Sequence, residues 1–305
     1  MYSDRQTELS VFLEQLQQSA EEKTEERVII HAVTKEDGEK IFEIIIGENP
    51  LFAPVVCVKA SGTGYGKSGL DDILQGLWTV YGRYKKLDRK GFPFDKMKAN
   101  VYLRLVPYER YNGFLDNLVY YPFLDMAVVP VLVLEVSTED RCFSLAVNIQ
   151  KGMCDASEEE LLQTASENTK KDCMVKGVEF SAEESGYEIL AMSNGHHSAI
   201  LDTGRLRDLA KEIYSSFLYI VPVSIYEVFV IPEDNVFDLS ELQEFSRNRK
   251  ELLDFEEAVL SERVYRYSLE SGDINFISSL LFHIEVHTLP ITYDTRFPYH
   301  PYLSP

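Results

Sequence analysis

Phe123-Leu-Asp-Met-Ala-Val-Val-Pro-Val-Leu-Val-Leu-Glu-Val136 is the stretch on which the fold turns. A near-continuous apolar run of this length, rich in valine and leucine, fills a central strand buried on both faces. Pro130 and Glu135 interrupt it, so it falls short of the roughly eighteen apolar residues that a membrane-spanning helix needs. Arg141 to Gln150 reads as its hairpin partner, and Asn100 to Val106 alternates as another strand.

Upstream, Val28 to Val33 and Ile41 to Ile46 flank the turn composition Glu36-Asp37-Gly38-Glu39 and predict a hairpin, with Pro54 to Lys59 as a third extended segment. Leu9, Phe12, Leu13 and Leu16 recur at helical spacing, which predicts an amphipathic helix over residues 4–20. A helix starting near Ser68, with Asp71 placed for a capping box, carries Leu70, Ile73, Leu74, Leu77 and Trp78 on one side. Downstream, Ser157 caps a helix through Asn168, with Glu158, Glu159 and Glu160 suited to its positive end. Tyr187 to Met192, Phe217 to Val221, Ile225 to Ile231 and Arg263 to Ser268 read as strands, the last of them closing the series. Thr203 to Ser215 and Leu239 to Leu253 read as helices.

Hairpin-connected strands alternating with helices give an α+β class, with largely antiparallel sheets and packed helices. The 305 residues suffice for one large or two modest domains. The expected division is an N-terminal α+β portion over 1–172 and a C-terminal one over 173–268, or one continuous domain. The lysine-containing loop of the 170s is the seam, and an aromatic and proline-rich tail occupies 269–305.

Fifty acidic side chains against thirty basic ones leave a net charge of -20. Such a surface repels polyanions, so nucleic acid and anionic lipid are poor partners and basic proteins or cations remain open. Between Arg83 and Arg104 eight basic residues face two acidic ones. That segment could hold an anionic ligand or an acidic partner, but a solvated basic helix end and loop that offsets acidic neighbours explains it more simply. Cys57, Cys142, Cys154 and Cys173 have no metal-ligand or disulfide spacing and suit a reducing cytoplasm. The first eighteen residues carry Asp4, Arg5, Glu8 and Glu14 and no apolar stretch of the signal-peptide kind.

Gly62-Thr-Gly-Tyr-Gly-Lys-Ser68 sits between a predicted strand and a predicted helix, as a phosphate loop would. Ser61 stands where the first glycine belongs and no second acidic nucleotide motif follows, so a βα turn is the simpler reading, with weak nucleotide binding as the alternative. His283, Glu285 and His287 would share one strand face, yet solvated edge histidines account for them. His196 and His197 follow the turn signal Asn194-Gly195. No catalytic, cofactor-binding or metal residue is assigned, and no cofactor is expected. The polar candidates are Asp125, Asn194, Ser224 and Glu227, set beside apolar strands where a desolvated carboxylate could act as general base.

Tyr121-Pro-Phe-Leu-Asp-Met-Ala-Val-Val129, Ser157 to Thr169, Leu190-Ala-Met-Ser-Asn194, Leu218 to Pro232 and Val259 to Tyr267 together resemble the domain-of-unknown-function 5688 family, uncharacterised proteins of gut Clostridia. The likeness spans residues 1–268. It implies no activity, and where the family typically shows histidine before the glutamate of the Ser-Ile-x-Glu-Val strand this chain has Tyr226. The glycine-rich Gly62 to Gly66 is not a family feature. The expected function is therefore a cytoplasmic, non-enzymatic acidic module that engages a protein partner; the alternative is an enzyme with a small polar cleft near Asp125, Asn194 and Glu227.

Overall fold

The computed structural model describes residues 2–34, 40–49, 51–59, 67–88, 91–137, 142–171, 173–179, 185–191, 201, 203–222, 224, 227–235, 239–251 and 260–277. The turn at 36–39, the glycines of 62–66, and the histidines at 196, 197, 283 and 287 lie outside them.

In chain order the first part holds α1 (Tyr2–Thr24), β1 (Val28–Thr34), β2 (Lys40–Ile46), β3 (Val55–Lys59), α2 (Lys67–Asp88), α3 (Phe94–Met97), β4 (Val101–Pro107), α4 (Tyr108–Leu115), β5 (Tyr121–Phe123), β6 (Met126–Ser137), β7 (Cys142–Asn148) and α5 (Glu158–Lys171). Its strands form a seven-stranded sheet in the order β1-β2-β3-β7-β6-β4, with β5 paired to β6. Every pairing is antiparallel. The second part holds β8 (Cys173–Glu179), β9 (Ser185–Ala191), α6 (Thr203–Glu212), β10 (Phe217–Pro222), β11 (Glu227–Pro232), α7 (Leu239–Glu251), β12 (Tyr265–Ser268) and β13 (Ile274–Phe276). These strands make a six-stranded antiparallel sheet, β13-β12-β10-β11-β9-β8. The chain is α+β.

The valine-rich run behaves as its composition predicts from Met126 on, with both faces buried through Leu134. Its first residues do not. The run breaks at Leu124 and Asp125, and β5 folds back on β6 with Phe123 opposite Met126. Leu124 takes φ 59°, a left-handed conformation that nothing in a leucine announces. Three further departures concern ends and edges. Helix α2 begins at Lys67, so Ser68 lies inside it and cannot cap it. Cys173 to Glu179, read as a seam loop, is strand β8, and β12 is followed by β13. The cap predicted for α5 is present: Ser157 Oγ accepts the Glu160 N–H at 3.1 Å.

One large core joins both sheets to the helices. It contains Phe12 and Leu16 of α1, Ile73 and Leu77 of α2, Leu161 of α5, Leu206 of α6, and Ile220 and Tyr267 of the second sheet. Helix α7 covers the other face of that sheet, where Leu242 and Phe245 meet Phe229 and Ile231. Gly76 fixes how close α2 can come to β7, because a Cβ there would lie 2.1 Å from the Phe143 ring. Side chains of α5 close the edge of β4: Thr169 Oγ1 accepts the Leu103 N–H at 2.7 Å, and Asn168 Nδ2 donates to the carbonyls of Lys98 and Val101 at 2.7 and 2.8 Å. That edge is thereby denied to another strand.

Candidate functional site

Asp125 is the predicted site residue that the structure places in a cleft. It is the second residue of the two-residue turn between β5 and β6, and the left-handed Leu124 before it costs about 1–2 kcal/mol relative to a glycine. Contacts on both sides hold the turn. The Asp125 carbonyl accepts the Tyr108 N–H at 3.1 Å, which ties it to the start of α4. Its carboxylate reaches across to β12 and the segment leading into it, where Ser261 Oγ donates to Oδ2 at 2.8 Å, the Tyr265 hydroxyl donates to Oδ1, and Arg263 Nε stands 3.7 Å from Oδ2. The Tyr265 and Ser261 hydroxyl oxygens are 2.7 Å apart, and Ser261 Oγ accepts the Arg263 N–H at 3.0 Å.

Tyr265 is fully buried. Burial first, then its hydrogen bond to Asp125, pushes the phenol well above its ordinary value, so it remains a proton donor at any physiological pH. Arg263 stacks over Phe276, 4.7 Å from the ring centre, which holds its guanidinium at the rim. The cleft has a volume of about 420 Å³ and is lined by Glu109, Arg110, Asp125, Ser261, Glu262 and Arg263 among others. The Asp125 carboxylate already has three internal partners. Such a group fastens two sheets together better than it abstracts a proton.

Ser224 is buried between β10 and β11, and Glu227 opens β11, paired in register with Leu190 of β9. Ser224 does not line the cleft. Asn194, like Tyr226, lies outside the described residues.

A second polar feature was not foreseen. Across five neighbouring strands of the first sheet, His31 pairs with Glu43, Glu43 with Cys57, Cys57 with Ser144, and Ser144 with Glu135. Paired residues of antiparallel strands point to one face, so the five form a single polar row. The next row, Ile29, Ile45, Val55, Ala146 and Val133, is wholly apolar. Glu43, Cys57 and Ser144 are buried, and His31 Nδ1 lies 3.9 Å from Glu43 Oε2. Ser144 Oγ has no hydrogen-bond partner among the described residues. The signal in the sequence is one polar residue in phase with the buried positions of an otherwise apolar strand, as in Val28-Ile-Ile-His-Ala-Val33 and Ile41-Phe-Glu-Ile-Ile-Ile46.

Three of the basic residues between 83 and 104 have partners of their own. Lys85 Nζ meets Glu26 at 3.1 Å, Lys98 meets Asp95 at 3.0 Å, and Arg83 donates to the Glu135 carbonyl at 3.2 Å. Cys57, Cys142 and Cys154 are free thiols. Among the described residues no group of three or more His, Cys, Asp or Glu could hold a metal ion, and no helix is long and apolar enough to cross a membrane.

The family described as "Family of unknown function (DUF5688)" matches residues 9–181, more than half of the chain. No curated protein and no solved structure matches.

Proposed function

The chain belongs to the DUF5688 family of unknown function, and on that footing we propose that it is a non-enzymatic protein-interaction module of the cytoplasm whose acidic exterior selects a basic protein partner. The observation that carries this is the engagement of Asp125: the carboxylate at the junction of the two sheets is bound by Ser261, Tyr265 and Arg263. A net charge of -20 then leaves long-range attraction of cationic partners as the strongest influence on what the surface meets, and disfavours nucleic acid.

One feature favours the enzyme reading, because a cleft of about 420 Å³ is within the size range of small-molecule sites. Within it Asp125, Ser261 and Arg263 face one another instead of an open reacting position. Nucleotide binding through Gly62 to Ser68 would raise the melting temperature with ATP and magnesium in a way that Lys67→Ala abolishes; no shift is the expected result.

Affinity capture from an extract of the source organism, at low and at high salt, tests the main reading. A basic protein retained at low salt and released at high salt is expected. A small molecule retained through purification, or an acidic partner indifferent to salt, would overturn it.

A further inference from the structure

Helix α4 exposes an aromatic side chain that the fold supports from beneath. Phe114 is 46% exposed, and its ring meets Phe52 edge-on at 6.2 Å between centres. Below them lies a separate core of Leu51, Val106, Leu115, Leu118, Ala127 and Val129, against which the half-buried Phe52, Tyr111 and Tyr120 pack. The rings thus stand on a rigid base, as anchor residues of protein interfaces do. Val11 on α1 is equally exposed, at 48%, but belongs to no such aromatic group.

One helical turn before Phe114 is Arg110, which lines the cleft, so the aromatic face and the cleft are continuous. Three carboxylates, Glu109, Asp125 and Glu262, line that cleft against two guanidiniums, Arg110 and Arg263. Arg263 lies beside Asp125. Asp116, just past the helix, is exposed as well. The local excess of carboxylate has the sign of the whole molecule, whose net charge is -20.

We propose that the α4 face and the adjoining cleft are the docking surface of the basic partner, and that the partner presents an apolar side chain to Phe114 next to a lysine or arginine that enters the cleft beside Glu109. This rests on the interaction reading above and gives it a place and a chemistry.

The test uses the full chain and two fluorescently labelled synthetic amphipathic peptides, one of leucine and lysine and one of leucine and glutamate, with binding followed by anisotropy at low salt. The leucine–lysine peptide is expected to bind and the leucine–glutamate peptide not. Phe114→Ser should weaken binding about tenfold and Glu109→Lys severalfold, whereas Val11→Ser and Glu22→Lys on α1 should change it by less than about twofold. All four substitutions are at exposed positions, and an unchanged far-UV spectrum identifies the folded variants. If Phe114→Ser and Val11→Ser act alike while salt-sensitive binding persists, the docking surface is wrong and the acidic-exterior reading stands. If the wild-type chain binds neither peptide, or prefers the acidic one, that reading falls with it.

Discussion

Both carboxylate oxygens of Asp125 are turned toward hydroxyl donors, Tyr265 on β12 and Ser261 in the segment just before it, and the consequence is measurable. Asp125→Ala leaves the buried Tyr265 hydroxyl with Ser261 as its remaining partner and should destabilise the protein by about 1–3 kcal/mol in chemical denaturation. Combined with Tyr265→Phe, the double mutant should lose less than the sum of the single losses, since both remove the same hydrogen bond. An Asp125→Ala variant within about 0.5 kcal/mol of wild type would refute the fastening role. The same region bears on stability in alkali. Burial raises the phenols of Tyr121 and Tyr265 above their ordinary value, so the folded chain keeps two protons that the unfolded chain releases near pH 10. Their contribution to stability is complete below that pH and declines as pH rises through it. Tyr265→Phe should make the decline shallower. At this scale the sequence pointed to Asp125, as a polar residue beside an apolar run, but not to its partners, which lie about 140 residues away along the chain. It also concealed the row from His31 to Glu135, because each strand contributes only one member and register alone brings them together.

Elements were legible where local chemistry fixed them. The Ser157 cap and acidic first turn of α5, and the β1–β2 hairpin, follow from residues close in sequence. Strand β8 escaped because Lys176 and Gly177 weaken its strand character; it lies at the end of its sheet, where lysine and glycine are tolerated. The turn at Leu124 escaped because the backbone conformation is imposed by contacts, not by residue type. Two helix positions give opposite predictions. Gly76→Ala would push a methyl group into the fully buried Phe143 ring, and a loss of about 1–3 kcal/mol is expected, larger than helix propensity alone could regain. Tyr214 ends α6 with φ 57° and is 93% exposed, while the Ser215 N–H donates to the Ala210 carbonyl and the Tyr214 N–H to the Lys211 carbonyl. That is a helix stop built for glycine. Tyr214→Gly should therefore stabilise the fold by up to about 1 kcal/mol, read as a raised melting temperature; a loss would show that the ring contributes to the fold despite its exposure.

At the scale of the whole molecule, charge and core act in opposition. A net charge of -20 repels itself, so the melting temperature should rise as salt is added from very low ionic strength and level off once the screening length falls to about 10 Å near 0.1 M. The core resists division. Residues before 172 and after 201 share one apolar cluster, in which Leu161 of α5, Leu206 of α6 and Tyr267 of β12 are all buried. The Asp125 fastening joins the same two portions through polar contacts. Both ties favour unfolding as one cooperative unit, although each sheet has its own strands. A single calorimetric transition is expected, with Asp125→Ala lowering it as a whole. Residues 1–172 made alone would leave the apolar surface that faces α6 and the second sheet open to water, and should self-associate or bind a hydrophobic dye. Two resolved transitions in the full chain, or a monomeric and cooperatively folded 1–172 fragment, would instead mark the two sheets as separate domains and reduce Asp125 to a contact between them.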